Sequence, residues 1–471
     1  MARPLRLRTL RLHRWRRWVA AAWLAVAATH TQAADLIDAW RAAQLHDREF
    51  AAAKAARLAA QPRRTQAASL WRPALQFSGT VGAANADSTI EGARFAAPGL
   101  GSVSGADFDT SINGGLATRW ALQARQPLYS PERDAQQRQL ELSVDIAELQ
   151  WHAAEQALML RSAEAYFDAA LALQTLQVQQ RQQQAVQRSL AEARDRFDIG
   201  ESPVTDTHEA AARAEAMRAE VLVAQTELAL RQAALADLTG WGGEQLRALR
   251  PVPDAAPLAA GELEPWLAEA RRGNPQLRVL AAQVEVARHE AAKYSAAAAP
   301  SVDLVASVGQ DRLSGSGDFG SATNSQTNAI VGLQLNPPLY SGGWRSARED
   351  ENLRLAEKAR ADADHQAQQV LLRTRAAWLG LSVGAARVHA LDQALQATRS
   401  RLDATRIGRQ VGERTTLELL HAENDAAAAE LALQRARITL LLDRLRLAAL
   451  AGQLDEPLLR QVNTVLNGSA P

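Results

Sequence analysis

From residue 132 to residue 197 the chain contains neither proline nor glycine, and Ala, Leu, Gln, Glu and Arg dominate. Helix is favoured at nearly every such position. The stretch of about 67 residues counted from Pro131, at 1.5 Å per residue, makes a rod of about 100 Å. No compact globule accommodates an element several times its own diameter. Ser130 is a candidate N-cap and Pro131 suits the first helical position, so the start of the rod is well marked.

Two apolar seams run along the rod. One comprises Leu142, Ile146, Leu149, Ala153, Leu160, Ala163, Phe167 and Ala170, interrupted by Gln156; the other comprises Val144, Ala147, Trp151, Ala154, Leu158, Ala165 and Ala172. A two-stranded coiled coil needs one seam. Two seams predict a neighbour on each side, as in the wall of a tube of helices. A return helix carries Ala210, Ala214, Met217, Val221, Ala224, Leu228, Leu235 and Leu238 at the same spacing. Periodicity by itself is equally that of a soluble coiled-coil scaffold.

The whole pattern occurs twice. Pro127-Leu-Tyr-Ser130 returns as Pro338-Leu-Tyr-Ser341, and Phe197-Asp-Ile-Gly200 before Asp206 has its counterpart in Val411-Gly412 before Glu418. The second unit repeats the helical pair, with Leu371, Trp378, Leu381, Ala385, Val388 and Leu395 going out and Leu419, Ala422, Ala426, Ala429, Leu433, Ala436 and Leu440 coming back. The protomer is therefore read as a duplicated block of strand pair plus long helices. The first repeat spans residues 34–240, a linker 241–262, the second repeat 263–450 and a C-terminal tail 451–471.

Each repeat opens with two alternating segments, about 74–84 and 112–124, then 301–311 and 326–336. Leu75, Phe77, Val81 and Ala83 alternate with Gln76, Ser78 and Thr80, and Leu304, Ala306 and Val308 alternate with Asp303, Ser307 and Gln310. Each segment has about the 9 to 11 residues of a tilted transmembrane strand. The Gly/Ser/Asp-rich residues 85–111 and 311–326 between them predict long exposed loops. Alternation alone is also what the edge of a soluble β-sandwich shows. Four strands cannot close a barrel, for which about eight is the minimum, whereas three copies supply twelve.

The N-terminus has Arg3, Arg6, Arg8, Arg11, Arg14, Arg16 and Arg17 without an acid, then an apolar run and Thr31-Gln32-Ala33. That is the layout of a secretory signal, residues 1–33, cleaved after Ala33. Its removal turns 53 basic against 52 acidic side chains into 46 against 52, so a nucleic-acid partner is disfavoured. There is no cysteine, which excludes disulfides, thiolate metal sites, catalytic thiols and a lipidated cysteine. Only three Met are present, which argues against a thioether site for soft metals such as copper.

The chain resembles the TolC family of outer-membrane efflux and type I secretion channels. The likeness rests on Leu36-Ile-Asp-Ala-Trp-Arg-Ala-Ala43, the Pro-Leu-Tyr-Ser elements before the long helices, Ala165-Tyr166-Phe167, Arg196-Phe-Asp-Ile-Gly200 and Val411-Gly-Glu-Arg-Thr-Thr-Leu-Glu418, in that order and spacing. The resemblance implies an all-α-dominated membrane protein with a β-barrel: a homotrimer with a 12-stranded outer-membrane β-barrel and a 12-helix periplasmic α-barrel. The implied partners are outer-membrane lipid, a periplasmic adaptor (membrane fusion) protein and an inner-membrane ABC or proton-driven transporter. The implied function is that of an exit duct for small molecules or unfolded proteins.

In that family an aspartate at the first helix-to-helix turn holds the neighbouring helix pair shut through a tyrosine and an arginine. Asp206 and Arg414 match the aspartate and the arginine, whereas Arg409 stands at the tyrosine position, so the resemblance implies an ionic gate of Asp206, Arg409 and Arg414. For Asp206 the competing role is first-turn electrostatics, worth about 0.3 to 1 kcal/mol. Two aspartate rings narrow the family's pore, and Glu418 and His421 occupy those positions. A carboxylate ring favours cations, an imidazole adds positive charge in mild acid, and Thr415 with Glu418 also reads as a capping box. Ile199, Gly200, Glu201, Val411, Gly412 and Glu413 would form the tip that meets the adaptor, where each glycine also fits a plain C-cap.

Enzyme signatures are absent. His208-Glu209 and His289-Glu290 lack the second histidine of a zinc helix, and there is no phosphate loop, dinucleotide fingerprint or Gly-x-Ser-x-Gly elbow. No cofactor or resident metal is expected. The competing function class is a secreted coiled-coil structural or adhesion protein.

Overall fold

The computed structural model describes residues 35–99, 101–247, 261–318 and 320–466. The expected signal segment 1–33 and most of the linker lie outside the described residues. Three short helices lead in: α1 (Leu36–His46), α2 (Arg48–Ala60) and α3 (Pro62–Ser69). The first repeat continues with strands β1 (Ala74–Ala97) and β2 (Gly101–Tyr129), the rod α4 (Pro131–Asp198), its return α5 (Val204–Thr239) and the short α6 (Gly243–Arg247). The second has α7 (Leu263–Gly273), α8 (Pro275–Ala296), β3 (Ser301–Gly317), β4 (Gly320–Asn336), α9 (Trp344–Gln410), α10 (Thr416–Leu450) and α11 (Glu456–Leu466). The rod is 68 residues long, and the Ser130 hydroxyl accepts from Arg133 N–H at 3.3 Å, as an N-cap should.

The strands form one antiparallel sheet in the order β1-β2-β3-β4. Register settles which residues share a face. Phe77 lies opposite Leu122, Leu122 opposite Val308 and Val308 opposite Ala329, giving one apolar row across the sheet. On the other face Thr80, Arg119, Asp311 and Gln326 form an equally continuous polar row, with Arg119 and Asp311 ion-paired. The apolar side chains stay largely exposed in the protomer, Leu75 at 73%, Phe77 at 69% and Val331 at 76%. An aqueous surface rarely carries so continuous a patch, and a lipid-facing barrel wall requires it.

The strands correct one expectation. Residues 85–111 and 311–326 are not loops: the hairpin ladder runs on from Ala86 opposite Ile112 to Ala97 opposite Gly101, and from Asp311 opposite Gln326 to Gly317 opposite Gly320. A 24-residue strand at about 3.3 Å per residue far exceeds the apolar band of about 25 Å. Beyond that band both faces meet water, so Ser, Thr, Asp and Gly replace the alternation while the backbone ladder, indifferent to side chains, continues.

The long helices pack side by side in the order α5, α4, α10, α9. The return helices bury the predicted seams, among them Ala210, Met217, Val221 and Leu235 on α5 and Leu419, Ala426, Leu433 and Leu440 on α10. The outermost helices keep bare apolar rows, Leu222 and Leu230 on α5 and Leu372, Leu379 and Val383 on α9. Among the described residues no helix is long and apolar enough to cross a membrane.

Midway along the molecule the return helices end and other helices take their places in the wall. The end of α10 abuts the start of α8: the Asn274 side-chain amide donates to Leu450 O at 2.9 Å while its Oδ1 caps Leu277 N–H at 3.0 Å. In the other repeat α5 ends at Gly240 against His46, where α2 begins. Around this level lies the main core, with Leu36, Leu158, Phe167, Leu235, Leu441 and Leu445 fully buried. Part of the supposed C-terminal tail is also core, because α11 sets Leu459, Val462 and Leu466 against it. Those three residues share one face of a helix, and that short amphipathic pattern is what the reading as a tail overlooked.

Gly452 sits at φ +72°, and a Cβ there would lie 2.0 Å from Gly273 O. Gly452→Ala is therefore expected to destabilise the protein by about 3 kcal/mol or more. Gly332, whose Cβ would meet nothing within 4 Å, is the control. Thermal unfolding of the two purified variants checks this, and equal midpoints would refute the close approach.

Candidate functional site

The two ends of the long hairpins are built alike. After α4 the Gly200 N–H donates to Phe197 O at 2.9 Å and Glu201 N–H to Arg196 O at 2.8 Å; after α9 the Gly412 N–H donates to Arg409 O at 3.1 Å and Glu413 N–H to Gly408 O at 2.8 Å. Both are the paired bonds of a Schellman motif. Both glycines have φ +81°, a conformation that an L side chain adopts only with strain. The turns leave Ile199 69% and Val411 67% exposed beside the exposed Glu201 and Glu413.

The helices that follow start differently. Helix α5 begins after Pro203 with no side-chain cap and carries Asp206 in its first turn. Among the described residues of the protomer no ion pair reaches Asp206. Helix α10 begins with a full capping box: Thr415 Oγ1 accepts from Glu418 N–H at 3.2 Å, and Glu418 Oε2 accepts from Thr415 N–H at 2.8 Å. Arg414 donates to the other carboxylate oxygen at 2.8 Å. The backbone N–H of Thr415 first, and Arg414 second, hold the Glu418 carboxyl below its ordinary range. His421 lies one turn further on and is exposed.

The three residues of the expected gate are not joined to one another within one protomer. Arg414 is engaged with Glu418, and Arg409 reaches across from α9 to Glu192 on α4 at 2.9 Å. Arg409 is 6% exposed, and among the described residues its Nε and Nη2 have no hydrogen-bond partner. The contact with Glu192 is thus close in distance but misaligned, an ion pair and not a hydrogen bond.

Around Arg409 lies a cavity of about 500 Å³ between α4, α9 and α10, lined by Arg188, Glu192, Arg196, Arg406 and Glu423 among others. Burial raises the Glu423 carboxyl above its ordinary range, and the nearby Arg406, Arg188 and Arg409 oppose that rise. Sequence reasoning missed Glu192 and this basic lining. The available signal was Arg188, Glu192 and Arg196 at four-residue intervals, a charged strip on one helix face. A larger cavity, about 810 Å³, lies at the junction of α10 and α8, far along the chain from the tip. Its Arg446 is already paired with Glu164 and Asp443. Among the described residues no His/Cys/Asp/Glu cluster could hold a metal ion.

A family model described as outer membrane efflux protein matches residues 39–241 and 266–453. The chain is 28% identical over 322 residues to the outer membrane protein TolC of Vibrio cholerae, covering 68% of this chain and 73% of that one. It is 28% identical over 443 residues to the proteases secretion protein PrtF of Dickeya chrysanthemi, covering 92% and 91%. Among solved structures it resembles the outer membrane protein VceC of Vibrio cholerae with a TM-score of 0.71 at 20% identity, covering 89% and 97%. The paired strands, the duplicated hairpins and a match that spans both repeats lead to one conclusion: this chain belongs to the outer membrane efflux protein family.

Proposed function

We propose that three copies of this chain close into one exit duct, anchored in the outer membrane and reaching into the periplasm, through which small molecules or unfolded polypeptides leave passively. The observation that carries this reading is the open-edged sheet with an apolar outer face. Sheet and helix layer each have a free edge on both sides, β1 and β4 in one, α5 and α9 in the other. Such edges suit a head-to-tail ring, in which α9 of one copy meets α5 of the next and β4 meets β1. A secreted coiled-coil protein would have no use for the lipid-facing row. The full-length likeness to a protein named for protease secretion favours polypeptide cargo.

Energy for export would come from an inner-membrane ABC or proton-driven transporter reached through a periplasmic adaptor. The adaptor would meet Ile199, Gly200, Glu201, Val411, Gly412 and Glu413, an exposed apolar and acidic surface presented twice per copy. Asp206, which no ion pair reaches among the described residues, would find a cation across a hairpin or protomer boundary, and Arg414 has donors left over from its contact with Glu418. Glu418, kept ionised by its cap, would stand in a ring of three at the constriction with His421 one turn away.

Planar-bilayer recordings of the purified protein test the duct directly. Small, cation-preferring currents are expected, and a protein that never conducts would refute it. Asp206→Ala should raise the conductance, whereas an unaltered closed state would reject the gate. Glu418→Gln should lower the preference for cations; unchanged selectivity would leave Glu418 as a helix cap alone.

A further inference from the structure

The lining of the tip cavity carries more basic than acidic side chains. Arg188, Arg196, Arg406 and Arg409 line it against the two carboxylates of Glu192 and Glu423. Apart from Arg409 to Glu192 at 2.9 Å, the ion pairs of these groups are long: Arg196 to Glu192 at 3.5 Å, Arg406 to Asp403 at 3.4 Å and to Glu423 at 3.7 Å. Among the described residues Arg188 donates to its own helix alone, at Gln184 O. Arg409 is the most enclosed of the four; it pairs with Glu192 at 2.9 Å, but among the described residues its Nε and Nη2 make no aligned hydrogen bond. A buried guanidinium whose N–H groups lack aligned acceptors is costly, and the planar fork of arginine is suited to oxyanions.

We propose that this cavity binds a small multivalent oxyanion of the phosphate or sulfate class, and that the anion links the α4 hairpin to the α9–α10 hairpin. Arg409 and Arg406 would reach it from α9, and Arg188 and Arg196 from α4. Because the four guanidinium groups belong to the two hairpins whose separation would open the tip, a bound anion adds a second link beside the Arg409–Glu192 pair, and its loss leaves the guanidinium groups less well neutralised. The cavity lies within one protomer, so the site is complete before any ring forms. Its role at the tip rests on the duct reading, whereas its existence does not.

Calorimetric titration of the detergent-extracted protein with inorganic phosphate, at constant ionic strength, tests the site. Saturable binding of one phosphate per chain is expected, with acetate at least about tenfold weaker because a monocarboxylate cannot engage both hairpins. Arg409→Met should weaken phosphate binding by about tenfold or more, and Arg188→Gln, at the margin of the cavity, covers the case in which the first variant fails to fold. Arg435→Gln, exposed on α10, should change nothing. Absence of binding, or binding indifferent to Arg409 and Arg188, overturns the proposal even if the channel conducts. In bilayers phosphate on the tip side should lower the open probability of the parent protein and not of Arg409→Met; channels that ignore phosphate while still binding it would overturn the link between hairpins.

Discussion

An unpaired strand edge inside hydrocarbon is the constraint from which the rest of the architecture follows. Lipid offers no hydrogen bonds, so each unsatisfied N–H or C=O there costs several kcal/mol. Over the apolar part of β1 alone, about half of the backbone groups point away from the sheet toward the free edge. Their summed cost exceeds the roughly 5–15 kcal/mol by which a folded domain is stable. The sheet β1-β2-β3-β4 therefore cannot end where the chain ends, and the bare apolar rows of α5 and α9 state the same requirement in the helical layer.

Duplication supplies the means, and divergence within it makes the two halves of the tip unlike. The repeats place identical Schellman turns at Gly200 and Gly412 and comparable helix junctions at Gly240 and Gly452. The helices around those turns have since acquired different charge. At its turn the first hairpin presents Asp206, which no ion pair reaches among the described residues, and the second presents Arg406, Arg409 and Arg414. In the proposed gate, a tip made from two unlike halves would be held by charge between them and released without rearranging the core far above, where Leu158, Phe167 and Leu441 are fully buried.

Much of this was legible because local chemistry fixes it. Ser130 before Pro131, the Thr415 and Glu418 capping box and the glycines at 200 and 412 are signals spanning a few residues, and the structure uses each as read. The alternation of Leu75, Phe77 and Val81 correctly indicated a strand face. Its disappearance after residue 85 was misread, since polarity reports where a strand leaves lipid and not where its ladder stops. The pairing of Arg409 with Glu192 was illegible for a different reason: it depends on how α4 and α9 lie against α10, and no local pattern encodes that.

The most direct measurement is the mass of the intact particle extracted from outer membranes in mild detergent, by native mass spectrometry. The account predicts three chains of about the 50.9 kDa calculated for the full sequence, each lighter by its N-terminal signal. A stable monomer that remains in water without detergent would contradict it, because such a particle would have found another way to satisfy the edges of β1 and β4.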